Sequence, residues 1–307
     1  MPEENEELRK NEIRAVGGRR PVYDLFQLPS PVKRIFDKFP LKTYPANDLP
    51  RRSPPIGHFD TLHIFTTQEG ALQHAPSFNP ACLKWQAYLR FSEIEFKTIS
   101  SNNHASPTGV LPFLTPKSSS PSASSSQPIS SNKILKWVSS RSDIVPERVS
   151  GMRYEAYRSL IDHRIRSAWL FTLYLDERNS EVVAKQLYIY PISSNALVQL
   201  SLYYQLKQAA RDELLKTASY IREDEVYLEA ENAFAAISTL LGDDVYFFGN
   251  DRPTLFDANI FAYTHLLLDE SLNWQETRLA DSLKKRENLV QHRQRILTGY
   301  FDRHNAL

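Results

Sequence analysis

The chain has a single cysteine, Cys82, among its 307 residues. One thiol excludes an internal disulfide and a cysteine-rich metal site, and it is typical of a protein from a reducing compartment. The eight histidines show none of the HExxH-type spacings that bring two imidazoles onto one metal ion. We therefore predict no metal site, and the sequence offers no cofactor motif.

An excess of charge and a long apolar run are also lacking. The formal net charge is +1, which gives no reason to expect nucleic acid as a partner. The best apolar run, WLFTLYL at Trp169–Leu175, is far shorter than the roughly 18 residues that cross a bilayer. The acidic start MPEENEELRK fits neither a secretory signal nor a matrix-targeting peptide. We expect a soluble chain, or one that a partner holds at a membrane.

The length predicts about two domains, here behind a polar tail and a proline-rich arm. Residues 1–20 are expected to be a disordered tail, and residues 21–57 form the arm. Within the arm, SPVKRIFDKF predicts a short helix with Ser30 as its N-cap. One face of this helix carries apolar side chains, namely Val32, Ile35, Phe36 and Phe39. Two interpretations stay open: the face packs on the body of the protein, or it docks on another chain.

Residues 58–145 predict a small α/β domain. A helix begins at Asn79–Pro80 and ends near Phe91, because Asn is a good N-cap and Pro a good first residue. Residues 118–131 are nearly all serine and proline and predict a flexible loop. Strands are expected over Thr61–Thr67, Glu93–Ser100, Val110–Thr115 and Ile134–Val138. The resulting order is β-α-β-β-β, with the serine-rich loop inserted in the last hairpin.

Residues 150–307 predict an all-α domain, since long segments with helical spacing of apolar residues follow one another. The expected helices are Met152–Asp176, Ala196–Tyr220, Glu225–Leu241, Leu255–Leu268 and Gln275–Tyr300.

Cys82 lies in the first turn of the expected helix, where the helix dipole favours a thiolate. A dithiol oxidoreductase needs a CxxC motif, but the four residues here are CLKW, with Trp85 in place of the second cysteine. Two-thiol chemistry is therefore excluded. The remaining interpretations are a one-thiol nucleophile and a buried structural residue, and the apolar neighbours favour the second.

Two further positions concern a thioredoxin-like fold and glutathione. Pro112, in GVLPFL, corresponds to the cis-proline that starts the third strand of such folds. Glutathione binding needs a Glu-Ser or Gln-Ser pair after the fourth strand, at the start of a helix. We expect this place at SSRSDIVPE, where Arg141 stands for the acid and Ser142 keeps the hydroxyl. Pro146 would also disturb the first helical turn, so this region indicates that glutathione is not bound.

The most specific local signal is FFGNDRPTLFDANIFAYTHLLL. Thr254 and Asp257 have the Thr-x-x-Asp spacing of a capping box, in which the two residues satisfy exposed backbone amides at a helix start. Late in a helical domain behind a small α/β domain, such a box is the folding hallmark of the glutathione transferase C-terminal domain. We predict a structural role for Thr254 and Asp257.

Several segments together resemble the metaxin family, and within it the fungal peripheral subunits of the mitochondrial outer-membrane sorting and assembly machinery. The resemblance covers most of the chain from about Pro29. It is carried by FDKFPLKTYPANDLPRRSPP, by CLKWQAYLRFSEIEF with SPTGVLPFL, by FFGNDRPTLFDANIFAY, and by LADSLKKRENLVQHRQRILTGYF.

The resemblance implies a glutathione-transferase-like fold, an N-terminal thioredoxin-like domain followed by a helical domain, without known enzyme activity and without catalytic residues. It implies a peripheral protein on the cytosolic face of the mitochondrial outer membrane. The implied partners are an outer-membrane β-barrel insertase, a second metaxin-like subunit and β-barrel precursor proteins, whose C-terminal β-signals the chain would recognise during insertion. Two alternatives remain: a one-cysteine glutathione transferase or thiol reductase using Cys82, and a cytosolic adaptor of the same fold.

Overall fold

The computed structural model describes residues 59–117, 127–142 and 151–302. The described residues all belong to one compact unit. The predictions for the tail, for the arm with Val32, Ile35, Phe36 and Phe39, and for Pro146 lie outside the described residues, as does most of the serine-rich loop.

A four-stranded mixed sheet forms the first part of the described chain, with the strand order β2-β1-β3-β4. The strands are β1 (Asp60–Ile64), β2 (Phe96–Ser100), β3 (Phe113–Thr115) and β4 (Ile129–Ser130). Strand β1 pairs parallel with β2 and antiparallel with β3, which in turn pairs antiparallel with β4. Leu62 and Ile64 alternate along β1 and are fully buried on the core face, as expected for a strand with one covered side.

Two helices connect β1 with β2, namely α1 (Gln68–Leu72) and α2 (Pro80–Phe91). The start of α2 follows from local chemistry. The Asn79 side chain accepts hydrogen bonds from the backbone N–H groups of Ala81 and Cys82, at 3.1 and 3.3 Å, and Pro80 occupies the first helical position, where no N–H is needed. The predicted bounds of this helix are confirmed. Every residue of α2 except Ala81 and Lys84 is buried.

The prediction of a strand over Ile134–Val138 is wrong, because this segment lies in helix α3 (Ser131–Ser139). Ile134 and Val138 are four residues apart and both are buried, which is the spacing of one helical face. A short apolar run such as ILKWV fits either period, and only its partner surface decides. The serine-rich loop also ends earlier than predicted, since Ile129–Ser130 is β4 and Ser131 begins α3.

The second part of the described chain, residues 151–302, is helical, as predicted, but some bounds differ. Helix α4 begins with Met152–Ser159 and continues through the π turn Leu160–Ile165, the segment Arg166–Leu170 and the π turn Phe171–Leu175. Helix α5, which we did not predict, consists of Glu177–Asn179, the π turn Ser180–Ala184 and Lys185–Tyr188. It begins where the Asp176 side chain accepts a hydrogen bond from the backbone N–H of Asn179, at 2.9 Å.

The later helices are α6 (Ala196–Leu214), α7 (Glu223–Leu241), α8 (Leu255–Leu267), α9 (Arg278–Lys284) and α10 (Glu287–Ile296, continued by the π turn Leu297–Phe301). The single helix predicted over Gln275–Tyr300 is therefore wrong. The chain turns at Lys285–Arg286, so that α9 and α10 are separate helices that both pack on α7.

One hydrophobic core runs through both parts, because α2 packs against α8. The buried Arg90 of α2 adds a polar link. It donates hydrogen bonds to the carbonyl oxygens of His74 and Tyr300, and its guanidinium lies 4.1 Å from the centre of the Phe301 ring. The division into domains at 145–150 stays a prediction, since the core is continuous across it. Within the described residues, no helix combines the length and the apolar character needed to cross a membrane.

Candidate functional site

The only thiol of the chain lies in the first turn of α2, with no solvent exposure. Burial raises the pKa of Cys82 to about 12, although hydrogen bonding with the Phe65 backbone and the Ser77 side chain acts in the opposite direction. A thiol with so high a pKa stays protonated at neutral pH, and the thiolate is the nucleophile. Cys82 is therefore not a reactive thiol, although it lies at the capped start of a helix.

Aromatic side chains fill the space beside this helix start. Tyr188, from α5 in the helical part, lies with its ring 5.3 Å from that of Phe65 and 5.4 Å from that of Phe78. Its hydroxyl accepts a hydrogen bond from the Asn79 side-chain amide at 3.2 Å. Burial raises the pKa of Tyr188 well above its ordinary value, so this hydroxyl is a neutral hydrogen-bonding group. The arrangement is a packed junction between α5 and the segments that precede α2.

Pro112 lies directly before β3, and the Leu111–Pro112 peptide bond is cis. Both residues are buried. The backbone N–H of Leu111 donates to the side-chain oxygen of Asn103 at 3.0 Å, which holds the turn before the strand. The structural role that we predict for Pro112 stays a prediction.

The predicted position of the glutathione-binding pair, at Arg141–Ser142, is wrong. Because α3 follows β4 directly, the helix start after the fourth strand reads Ser130–Ser131, and not Arg141–Ser142. Ser130 carries neither an acid nor an amide, and its hydroxyl donates to the side-chain oxygen of Asn132 at 2.6 Å. Arg141 lies after the end of α3, 3.1 Å from a carboxylate oxygen of Asp60.

The Thr254 and Asp257 pair lies at the start of α8. The backbone N–H and the hydroxyl of Thr254 both donate to Oδ2 of Asp257, at 2.8 and 2.7 Å. The other carboxylate oxygen, Oδ1, accepts the backbone N–H of Phe247 at 3.1 Å and lies 2.9 Å from Nε2 of His292. Asp257 and His292 are both fully buried. The capping box is thus one half of a larger buried network.

Our sequence interpretation missed Phe247 and His292 as partners of Asp257. His292 lies in α10, 35 residues further along the chain, and no local spacing relates it to the box. A carboxylate can only accept, so Nε2 carries the imidazole proton. Within the described part of the chain, Nδ1 of His292 has no hydrogen-bond partner. The network explains how α8 is held to α10, and it contains no open position for a substrate.

The described residues contain no cluster of His, Cys, Asp and Glu that could hold a metal ion. A cavity of about 590 Å³ lies between α4, α7 and the segment that joins α6 to α7. Its charged residues pair with each other, as Arg164 does with Glu229, and no thiol lines it. This cavity does not carry a catalytic hypothesis.

Comparison with protein families gives three matches along the chain. Residues 80–179 match the glutathione S-transferase N-terminal domain, and residues 230–296 match the glutathione S-transferase C-terminal domain. Residues 26–73 match the family described as SAM35, subunit of SAM complex. This third match covers most of the arm and extends through β1.

Among solved structures, the fold is similar to that of a glutathione S-transferase from Ceriporiopsis subvermispora determined with glutathione. The TM-score is 0.53 at 11% identity, with 79% of this chain and 98% of that chain covered. This likeness shows the fold alone. Together with the two domain matches, it confirms the predicted fold class: a thioredoxin-like part followed by a helical part in the arrangement of a glutathione transferase.

Curated relatives are similar over most of the chain. Metaxin-3 of Xenopus laevis is 29% identical over 236 residues, which are 74% of this chain and 73% of the relative. Metaxin-1 of Macaca fascicularis is 28% identical over 233 residues, with 74% and 71% covered. With the SAM35 match in the arm, these similarities confirm the resemblance inferred from the sequence segments: this chain is similar to the metaxins over most of its length.

Proposed function

We propose that the chain is a non-catalytic subunit of the sorting and assembly machinery of the mitochondrial outer membrane. The observation that carries the proposal is the SAM35 match over residues 26–73. It overlaps the start of a glutathione-transferase-like body whose thiol is buried, with its pKa raised to about 12. Similarity to metaxins over 74% of the chain supports the same assignment.

In this role the chain recognises the C-terminal β-signal of β-barrel precursors and assists their insertion from the cytosolic face. Its partners are an outer-membrane β-barrel insertase and a second metaxin-like subunit. A β-signal is a short extended segment with alternating apolar residues, so its recognition can use strand addition at a sheet edge and pockets for side chains.

The arm is our candidate for docking on a partner. Its apolar residues Val32, Ile35, Phe36 and Phe39 lie in a segment, residues 31–52, with a basic excess. The segment contains two acidic residues, Asp37 and Asp48. Its basic residues are Lys33, Arg34, Lys38, Lys42, Arg51 and Arg52. Apolar anchors surrounded by cations suit a partner surface with an apolar groove and an acidic rim.

Native purification of the tagged chain from mitochondria tests the assignment. We expect a β-barrel of the outer membrane and a second metaxin-like chain to copurify. Pull-down with a precursor should succeed when the β-signal is intact and fail when its final apolar positions are made polar. Equal capture of both precursors, or purification without any β-barrel, would favour the cytosolic adaptor of the same fold.

The enzyme alternative needs Cys82 to ionise and to meet a substrate. The aromatic rings of Tyr188, Phe65 and Phe78 fill the space beside the helix start, and the buried thiol has a raised pKa, so neither requirement is met in the folded chain. Turnover in conjugation or disulfide-reduction assays that disappears in Cys82→Ser would support the enzyme.

A further inference from the structure

One stretch of the helical part has no charged side chain. From Gln186 to Leu206, across the end of α5, the connecting segment and the first half of α6, the sequence reads QLYIYPISSNALVQLSLYYQL. Charged residues make up 24% of the whole chain, so a stretch of this length on a solvated face would ordinarily contain several. The composition alone is typical of a buried segment.

The structure instead exposes large apolar side chains from this stretch. We call them the uncharged surface: Tyr190, Ile192, Leu197, Val198, Leu200 and Tyr204. Leu197, Leu200 and Tyr204 are 78%, 65% and 71% exposed, and their spacing places them on one face of α6. Exposed apolar residues that are contiguous, rather than scattered, mark a surface that another phase or molecule covers.

The opposite face of α6 holds the helix firmly on the body. Asn195 caps its start by accepting hydrogen bonds from two backbone amides. The Tyr203 hydroxyl lies 2.9 Å from that of Ser180, and Arg166 of α4 pairs with Glu213 at 2.8 Å. Ala210 and Leu214 are buried. The uncharged surface is therefore presented by an anchored helix.

Lysines flank the uncharged stretch in the sequence. Lys185 and Lys207 are the nearest charged residues before and after the stretch, and their ammonium groups lie 4.3 and 5.1 Å from the centre of the Tyr203 ring. Lys185 also pairs with Glu181. Lys207 forms no ion pair among the described residues and donates to the Tyr203 hydroxyl at 3.3 Å.

This combination fits the interface of a lipid bilayer. Leu, Ile and Val side chains enter the acyl boundary, tyrosines prefer the headgroup level, and flanking lysines interact with anionic headgroups while their stems lie along apolar surface. A carboxylate within the surface would be repelled by anionic lipid, and the stretch contains none. We propose that the uncharged surface rests directly in the interfacial layer of a bilayer that contains anionic lipid. This adds a lipid contact to the partner contacts of the proposed function.

Vesicle flotation with the purified full chain tests the lipid contact. We expect the chain to float with phosphatidylcholine vesicles that contain phosphatidylserine, and less with phosphatidylcholine alone. Leu200→Asp should lower the bound fraction about tenfold, because it removes one inserted side chain and adds a repelled charge. Leu228→Asp is the matched control: Leu228 is a 57% exposed leucine of α7 outside the surface, and this variant should float like the unmodified chain.

A second measurement does not depend on a destabilising charge. Because Cys82 is buried, a cysteine placed at Leu200 can be labelled selectively with an environment-sensitive fluorophore. Leu200→Cys should show a blue-shifted, brighter emission with anionic vesicles, whereas Leu228→Cys should not change.

Three outcomes would overturn the proposal. The first is that the unmodified chain does not float with anionic vesicles. The second is that Leu200→Asp floats as well as Leu228→Asp, and the third is that the fluorophore at position 200 shows no change in emission. If Leu200→Asp instead converts a dimer into a monomer, or removes a copurifying protein without any vesicle binding, the surface is a protein interface. The vesicles contain no protein, so these results are independent of whether a β-barrel copurifies from mitochondria.

Discussion

Nε2 of His292 lies 2.9 Å from Oδ1 of Asp257, and neither residue is exposed to solvent. This contact extends a local capping box at the start of α8 into a link between α8 and α10. Asp257 accepts four hydrogen bonds in all, two from Thr254, one from the Phe247 backbone and one from His292. A buried carboxylate with four donors has every lone-pair position used, which explains how an acid is accommodated in the core.

Asp257→Ala should destabilise the protein strongly. Loss of a capping interaction alone costs about 0.5–2 kcal/mol, and buried donors left without an acceptor cost about 1–3 kcal/mol each. We expect the urea midpoint to fall well beyond a simple cap effect. Asp281→Ala is the matched control, because Asp281 accepts from the Thr277 hydroxyl at the start of α9 in an exposed setting. Equal losses in the two variants would contradict the network.

The contact between Asp257 and His292 can be measured by a double-mutant cycle. His292→Leu, Asp257→Asn and the double variant should give a coupling energy of about 1.5–3 kcal/mol, the range for hydrogen bonds to charged groups. His292→Gln, which keeps a side-chain donor, should cost less than His292→Leu. Additive losses would mean that the contact contributes packing alone. Chemical unfolding of the four proteins supplies the values.

A second buried histidine should make stability pH-dependent. His265 in α8 is 5% exposed, and burial, assisted by the charge of Arg293 and opposed by that of Asp269, lowers its pKa to about 4 from 6.5. Above pH 6.5 the side chain is neutral in both states and costs nothing. Below pH 6.5 the unfolded chain binds a proton that the folded chain does not bind until about pH 4, so up to about 3 kcal/mol of stability is lost over that window.

His265→Phe keeps the stacking on Phe261, whose ring lies 5.2 Å away, and removes the titration. Its unfolding free energy should fall less steeply between pH 6.5 and 4 than that of the unmodified chain. The exposed His104 provides the control, and His104→Phe should keep the original slope. Parallel profiles for all three proteins would show that His265 does not contribute.

Cys82 should be inert in the folded protein. Because the thiol is buried and its pKa is raised to about 12, a chromogenic disulfide reagent should react only as fast as the protein opens. The reaction should accelerate through the urea transition, and Cys82→Ala should show no labelling at all. Rapid, stoichiometric reaction of the folded chain at neutral pH would revive the one-thiol enzyme.

The arm should contribute to partner binding more than to stability. Phe36→Asp combined with Phe39→Asp is expected to weaken copurification of the β-barrel partner while the melting temperature changes little. Asp37→Ala, between the two, is a control that leaves the apolar face in place. A large fall in melting temperature with unchanged copurification would mean that the arm packs on the protein's own body.

Where the sequence carries a complete local signal, it determined the structure. Asn79 followed by Pro80 defines the start of α2 because both act on backbone groups within one turn. Thr254 and Asp257 are likewise close enough in the chain to meet whatever surrounds them. The single cysteine without a second thiol excludes dithiol chemistry from sequence alone, and the family segments indicate the fold.

Tertiary structure decided what the local pattern leaves open. The segment ILKWV fits a strand or a helix by its pattern. It is helical in the structure, where the helix period brings Ile134 and Val138 to the same buried face. Because this segment is a helix, the start of the helix that follows the fourth strand lies at Ser130–Ser131 and not at Arg141. This is therefore the position that corresponds to a glutathione-binding pair. Asp257 contacts His292, 35 residues further along the chain, because the fold packs α10 beside the start of α8. The uncharged stretch has the composition of a core segment, but its exposure follows from how α6 is anchored. Among the described residues, one face of the helix packs on the body, and Leu197, Leu200 and Tyr204 on the other face are exposed.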